Sequence, residues 1–487
     1  MRTSETSASP AGLFEGYDSG GYFCELFGGD AGGRTLPSAL VERLQRLELR
    51  ALKRRAKDAS QQLMDLGITF TVYSDRDTID RVLPFDPIPR ILSRTDWDQI
   101  ERGVKQRVAA INAFLDDVYN DGKILRDGAI PAELIKANKH YLKAMEGFHP
   151  PGGVYAHIAG IDLVRDGSGE FRVLEDNART PSGVSYVVEN RHLMMRAFPD
   201  LAEGVGIANV DDYGARLMQA LSALAPGGMR DPCVALLSPG VFNSAYFEHV
   251  FLAREMGATL VEGRDLVVQD DCVFMRTTDG LERVDVIYRR IDDDFLDPQA
   301  FRSDSMLGAP GLFAAYKKGH VTLANAPGAG VADDKAVYAY MPRIIEYYLG
   351  EDPIIANVDT HICREPEGLA YTLDHLDQLV TKPVGESGGY GVVIGPRASN
   401  RELAALRRQL KADPSNYISQ PMVDLSVSPT LAGAGIGPRH VDLRPFAVTG
   451  RDTWVLPGGL TRVAMRKGSL VVNSSQGGGS KDTWVLA

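Results

Sequence analysis

Leu379-Val380-Thr381-Lys382-Pro383-Val384-Gly385-Glu386-Ser387-Gly388-Gly389-Tyr390-Gly391-Val392-Val393-Ile394 is the stretch on which the reading of the chain turns. A β-like run ends on a lysine, a glycine-rich turn follows, and a second β-like run resumes. Glycines let backbone N–H groups approach phosphate oxygens closely, and the lysine adds a point charge. The order is not that of a Walker A loop, where the lysine follows the glycines and a helix begins. A tight hairpin with an incidental lysine would have the same sequence. Gly385-Glu386-Ser387-Gly388-Gly389 also fits G-x-S-x-G, the nucleophile elbow of serine hydrolases. That elbow needs a helix after its serine, whereas Gly-Tyr-Gly-Val-Val-Ile is β-like and poor in helix formers. His440 is the one histidine downstream that could serve it.

A second constellation lies some two hundred residues earlier, in Val173-Leu174-Glu175-Asp176-Asn177-Ala178-Arg179-Thr180-Pro181. At a strand end, Glu175 and Asn177 point to one face because side chains alternate. Two oxygen ligands from one short segment suit Mg²⁺, which takes few protein ligands and keeps phosphate and water oxygens. A plain polar strand terminus reads equally well, so the weight of the motif comes from its company with the lysine–glycine turn.

Around these segments the composition is that of an ordinary globular protein. The chain has 487 residues, 44% hydrophobic and 24% charged, a length that corresponds to roughly three domains. Lysine plus arginine (53) against aspartate plus glutamate (64) leaves −11, which speaks against nucleic acid or an anionic membrane as the main partner. Cys24, Cys233, Cys272 and Cys363 are scattered without a CxxC pair and read as buried free thiols of a reducing compartment. The N-terminus lacks a signal-peptide h-region, and no apolar run approaches a membrane span. A cytoplasmic protein is expected.

Residues 1–150 read as mostly helical packaging without chemistry. Ser38 is an N-cap candidate before Leu40, Leu44 and Leu47. Lys53-Arg54-Arg55 is a solvated basic face, and Pro84, Pro87 and Pro89 mark an extended connector. Trp97, Ile100, Val104, Val108, Ile111, Leu115 and Val118 define one face of a strong amphipathic helix, and another helix is expected from about Pro131 to Phe148. Residues 151–230 open with a hairpin turning at Asp166-Gly167-Ser168-Gly169, followed by a helix near Val184–Phe198. Residues 231–325 alternate as a small parallel α/β unit ending in Ile287-Tyr288-Arg289-Arg290. Residues 326–487 bring a helix over Asp333–Tyr348, further strands and a second glycine-rich loop at Gly477–Ser480. The pentapeptide DTWVL at 452–456 and 482–486 reads as two similar strands.

The phrases VLEDNARTPSG, YKKGHVTLANAPGAGVADDKAVYAYMP, TKPVGESGGYGVVIGP and SSQGGGSKDTWVL resemble the circularly permuted branch of the ATP-grasp superfamily. That branch includes eukaryotic-type glutathione synthetase and a bacterial group once labelled glutathionylspermidine synthases. An ordinary ATP-grasp chain has its nucleotide lysines first and its Glu-x-Asn motif last; here Glu175 precedes Lys382. The resemblance implies an α/β (α+β) fold: a circularly permuted ATP-grasp core with an inserted α/β substrate domain and a helical N-terminal region.

It also implies roles. Lys335, in ADDKAVYAYM, resembles the first nucleotide lysine and Lys382 the second, around the loop Gly385, Glu386, Ser387, Gly388, Gly389, Tyr390 and Gly391. Glu386 would join Glu175 and Asn177 in holding Mg²⁺. Gln420-Pro421 resembles the hinge whose backbone recognises adenine. Arg290, Arg444 and Arg462 are candidate carboxylate or phosphate clamps, with structural salt bridges as their alternative. The implied activity is an ADP-forming, ATP- and Mg²⁺-dependent ligase joining a small-molecule or peptide carboxylate to an amine through an acylphosphate. A nucleotide-binding scaffold without ligation, or a serine hydrolase using Ser387, stands as the alternative. No amidase domain with a catalytic cysteine is evident, so the bifunctional glutathionylspermidine enzyme is not the template.

Overall fold

A 26-residue helix, Arg94–Tyr119, starts where Ser93 Oγ accepts the Asp96 N–H at 3.1 Å and the Asp96 carboxylate accepts the Ser93 N–H at 3.3 Å. This reciprocal cap and the apolar face from Trp97 to Val118, all seven residues of which are buried, are why the helix forms. It packs on Met341–Leu349 and presses one face of a large sheet. The computed structural model describes residues 12–29, 32–33, 36–73, 78–385, 391–433, 435–470, 472 and 477–487.

That sheet has nine strands. Its path runs Thr453–Val455, Phe446–Thr449, Ile158–Arg165, Gly435–Arg444, Leu460–Val463, Gly479–Val485 and Phe85–Leu92. Phe171–Asn177 pairs with Ile158–Arg165, and Val427–Ala432 with Gly435–Arg444. Alternation divides its side chains between two cores: Ala447 and Val485 face the long helix, while Phe446, Val448 and Trp484 face the helix Val184–Ala197 on the other side. A four-stranded antiparallel sheet in the order His361–Ile362, Tyr417–Pro421, Leu379–Pro383, Val393–Ile394 carries the lysine–glycine turn. The α/β unit is a parallel sheet in the order Thr322–Ala324, Val286–Arg289, Val234–Leu237, Thr259–Val261, with Tyr246–Met256 as its crossover helix. Its last strand is tied to the large sheet by Asn325. This side chain accepts from Ile158 N at 2.8 Å and donates to the Ile158 and Ala178 carbonyls at 2.7 Å each.

Four sequence expectations need correction. The proline-rich connector is a strand, Phe85–Leu92, buried and paired in parallel with Gly479–Val485. Pro87 and Pro89 are tolerated because the strand ends the sheet's path, where a missing N–H breaks no inner ladder. The helix expected from Pro131 to Phe148 covers only Ala132–Lys136, because Asn138 turns the chain with its side chain accepting the His140 N–H at 2.8 Å. The helix over Asp333–Tyr348 is two, Lys335–Ala339 and Met341–Leu349, with Pro342 at the start of the second. Ser38 is the first helical residue after Pro37 and makes no side-chain cap.

The hairpin Ile158–Arg165 to Phe171–Asn177 turns where expected: Asp166 accepts the Ser168 and Glu170 N–H groups, and Gly169 takes φ +89°. None of the four cysteines is paired; Cys24 and Cys363 are buried, whereas Cys233 and Cys272 are only half-buried. Among the described residues no helix is long and apolar enough to cross a membrane.

Candidate functional site

On the strand Phe171–Asn177, alternation separates two kinds of acid. Asp176 turns inward to Arg107, whose Nε and Nη2 donate to it at 2.5 and 2.8 Å. Glu175 and Asn177 lie on the opposite, half-exposed face. Across the ladder Glu175 is opposite Asp162, and Asn177 is opposite Gly160. The Asn177 amide nitrogen donates to the Gly160 carbonyl at 3.2 Å and to Asp162 Oδ1 at 3.5 Å, so neither bond uses its carbonyl oxygen.

Asp162 stands alone in the apolar run Ile158–Val164 and is fully buried. Such a group requires paired charge. Arg444 meets it in bidentate fashion, with Nη2 at 2.7 Å, and Arg462 Nη2 reaches it at 2.6 Å. Arg462 is itself held by Asp442, its cross-strand neighbour, from Nε at 3.0 Å to both oxygens. Burial pushes the Asp162 carboxyl up, but the two guanidiniums outweigh it and hold it well below the usual carboxylate range. Arg444 also lies 3.9 Å from Glu175, which places its outer edge beside the exposed face.

The two expected nucleotide lysines come to the same place from different segments. Asp334 caps the helix Lys335–Ala339 by accepting the Ala336 and Val337 N–H groups, which fixes Lys335 at its first position. Lys335 Nζ lies 3.7 Å from Glu175. Lys382, next to last in the strand Leu379–Pro383, donates to Gln420 Oε1 at 2.6 Å, and Gln420 Nε2 donates to Thr360 Oγ1 at 2.9 Å. Burial pushes the Lys382 ammonium down to about 8; Lys335 adds to this, and Glu175 and Asp162 oppose it. Gln420 therefore meets Lys382 through its side chain, while its backbone pairs with Val380; Pro421 ends the strand, exposed, opposite Leu379.

After Gly385 the expected loop residues Glu386, Ser387, Gly388, Gly389 and Tyr390 lie outside the described residues. The chain is described again at Gly391, whose φ of +70° and whose hypothetical Cβ 2.7 Å from Pro383 Cγ both require glycine. Val393–Ile394 then returns as a strand, not as the helix a nucleophile elbow needs.

Arg290 is not in this group. It is buried at the end of its strand, donating to the Pro181 carbonyl at 2.7 Å, Tyr288 Oη at 3.1 Å and Glu248 at 3.1 Å. Glu248 in turn accepts the Gly183 and Ser185 N–H groups at the start of the helix Val184–Ala197. Three further residues join the site that the motifs did not single out. Asp333 accepts the backbone N–H groups of Ala178 and Arg179 at 2.5 and 3.1 Å, tying the end of the Glu-x-Asn strand to the Lys335 segment. Burial pushes its carboxyl up to about 6, against the pull of Arg179. Arg179 pairs with Asp292 at 3.1 Å, beyond the carboxyl end of the α/β unit's strand. The isolated acid of an apolar strand was the one local signal for Asp162; Asp333 and Arg179 carried none.

No group of three His, Cys, Asp or Glu side chains able to hold a metal is found among the described residues. Glu175 with the Asn177 carbonyl oxygen nevertheless supplies the hard oxygen donors, few in number, that Mg²⁺ accepts when phosphate and water complete its shell. Glu175 is half-exposed, and its contacts to Lys335 and Arg444, at 3.7 and 3.9 Å, are longer than close ion pairs. The pair fits the ion.

The sequence profile of a family described as circularly permuted ATP-grasp type 2 matches residues 89–464. An uncharacterised protein of Synechocystis sp. is 51% identical over 97% of this chain and 98% of its own length. A Frankia alni protein named "Putative glutamate--cysteine ligase 2-3" is 44% identical over 97% of this chain, which spans 54% of that protein. Among solved structures, the apoform of a glutathione synthetase-like effector from Globodera pallida superposes with a TM-score of 0.59 over 90% of this chain and 98% of its own. At 12% identity that likeness is one of fold.

Proposed function

Because the chain belongs to the circularly permuted ATP-grasp type 2 family, we propose that it is an ATP-dependent ligase joining a carboxylate to an amine. The observation that carries this reading is the meeting of Lys335, Lys382 and Arg444 with Glu175 and Asn177 where the small sheet faces the large one. Cations on one side and two oxygen donors on the other match what the γ-phosphoryl group of a nucleotide requires.

In this reading the substrate carboxylate attacks the γ-phosphorus, ADP leaves, and the amine displaces phosphate from the acylphosphate to form an amide. Lys335 and Lys382 neutralise and align the phosphates, and Arg444 presents positive charge to the transferring group from its place above Asp162. Arg462, itself held by Asp442, holds Asp162, and through it Arg444, in a fixed orientation. Glu175 and Asn177 would hold Mg²⁺, which when bound adds further charge neutralisation at the phosphates. Gln420 orients the Lys382 ammonium. Arg290 anchors the loop that follows the Glu-x-Asn strand. No side chain is required as a nucleophile, which favours ligation over hydrolysis at Ser387.

The test is thermal stabilisation by MgATP of the wild type beside Lys382→Ala and Glu175→Gln. Nucleotide at 100 times its Kd adds about 2.7 kcal/mol to stability, a shift that is easily read. A shift that requires Mg²⁺ and shrinks in both variants supports the reading, and ADP release with paired carboxylates and amines then identifies the reaction. Losing Lys382 should lower that rate about 100-fold or more. A wild type that no nucleotide stabilises refutes it; labelling of Ser387 by an activity-based phosphonate would then favour the hydrolase.

A further inference from the structure

The first 150 residues read from sequence as packing alone, yet one turn of them reaches the lysine–glycine loop. After the helix Ala132–Lys136 stops, Asn138 makes the turn with His140, and its amide nitrogen donates to Asp334 Oδ2 at 3.0 Å. Asp334 is the residue that caps the Lys335 helix. The next residue, Lys139, places its ammonium 3.0 Å from the carbonyl oxygen of Gly385. A Cβ on Gly385 would lie 2.9 Å from Lys139 Cε and 3.0 Å from Nζ, so the backbone of Gly385 runs directly against this side chain. The turn is fixed from behind, where Tyr119 Oη accepts the Leu142 N–H at 3.2 Å, donates to the Gly328 carbonyl at 3.1 Å, and stacks on Tyr141 at 4.9 Å.

Three lysines therefore converge on one short length of chain. Lys335 donates its backbone N–H to the Val384 carbonyl at 3.3 Å, Lys139 donates to Gly385, and Lys382 lies two residues before Val384. The acceptors of Lys139 and Lys382 are neutral, a peptide carbonyl and the Gln420 amide, and among the described residues neither ammonium has a carboxylate within ion-pair distance. A neutral acceptor satisfies a lysine's geometry without balancing its charge. A phosphate oxygen does both, because its negative charge adds Coulombic attraction to the hydrogen bond. Lys139 is exposed on a flexible stem, so exchanging one acceptor for another requires only rotamer changes.

We propose that Lys139 is a third phosphate-binding lysine of the nucleotide site, which leaves the Gly385 carbonyl to contact the polyphosphate. This rests on the nucleotide-binding reading above and adds the N-terminal region to that site. The experiment titrates wild type, Lys139→Met, Lys139→Arg and Lys382→Met, as full chains, with ATP, ADP and AMP in the presence of Mg²⁺ by calorimetry. In Lys139→Met the affinity for MgATP falls about tenfold or more, while AMP, lacking the outer phosphates, changes by less than about twofold. Lys139→Arg recovers most of the loss, and melting without nucleotide stays at the wild-type temperature because the side chain is exposed. Unchanged MgATP affinity in Lys139→Met beside a clear loss in Lys382→Met overturns the inference and spares the nucleotide reading. Equal losses for ATP and AMP also overturn it, since Lys139 would then only shape the loop. A wild type that binds none of the three nucleotides overturns both.

Discussion

Lys382 gives the sharpest quantitative expectation, because its burial and its task pull its charge in opposite directions. In the protein alone its ammonium is pushed down to about 8, mainly by burial, from the ordinary lysine value of about 10.4. Bound phosphate would favour the charged form and return the value toward the ordinary one. Linkage then fixes the sign: nucleotide affinity is full below about pH 8 and declines as the pH rises through it, by up to about tenfold per unit. Between about pH 7 and about pH 9 the charged fraction of the protein alone falls from about nine-tenths to about one-tenth, so the Kd for MgATP should rise about tenfold. Stability without nucleotide moves the other way. The unfolded chain holds this proton more tightly between about pH 8 and about pH 10.4, so the lysine's penalty on folding fades over that window. Calorimetric titration of wild type and Lys382→Arg at both pH values measures the first effect, and urea unfolding measures the second. The arginine variant stays charged and should show a flat affinity. A flat wild-type Kd, or an equal decline in Lys382→Arg, would refute the reasoning.

Other perturbations address the groups around it. Asp162→Asn leaves Arg444 and Arg462 sharing a buried site with one acid fewer, and urea unfolding should show a loss of about 3–5 kcal/mol. Arg290→Met strands Glu248 and frees the Pro181 carbonyl; a stability loss of similar size is expected, with MgATP affinity at the wild-type value if Arg290 only anchors its loop. Asp333 has a carboxyl raised to about 6, so the stability it contributes is present below its unfolded value near 4 and is lost as the pH rises through 6. Asp333→Asn should therefore gain on the wild type in unfolding free energy as the pH goes from about 4 to about 7, whereas a constant difference would contradict the raised value.

What could be read from the sequence, and what could not, follows from how far apart the interacting residues lie along the chain. Glu175 and Asn177 are two residues apart on one strand, so alternation alone put them on one face, and the ladder bears this out by sending Asp176 to Arg107. The long helix was legible because its apolar face lies within one window. Prolines 87 and 89 misled because a proline reports only its own backbone, whereas its tolerance here depends on the strand ending a sheet whose neighbour comes from residues 479–485. The partners of Asp162 lie 282 and 300 residues away, in strands that the permuted order brings back beside it. No local pattern ties Arg444 and Arg462 to that acid, and both were read only as clamps or salt bridges. The same holds for Lys139, 246 residues from Gly385, which looks like any solvated lysine until the turn at Asn138 sets it against the loop. Motifs thus name the residues whose chemistry repeats within a few positions, while the groups that hold those residues in place come from the topology. The residues named from sequence for this reason include Lys335, Lys382, Glu175 and Asn177, but not Lys139 or the acids Asp162, Asp333 and Asp442, whose partners come from distant parts of the chain.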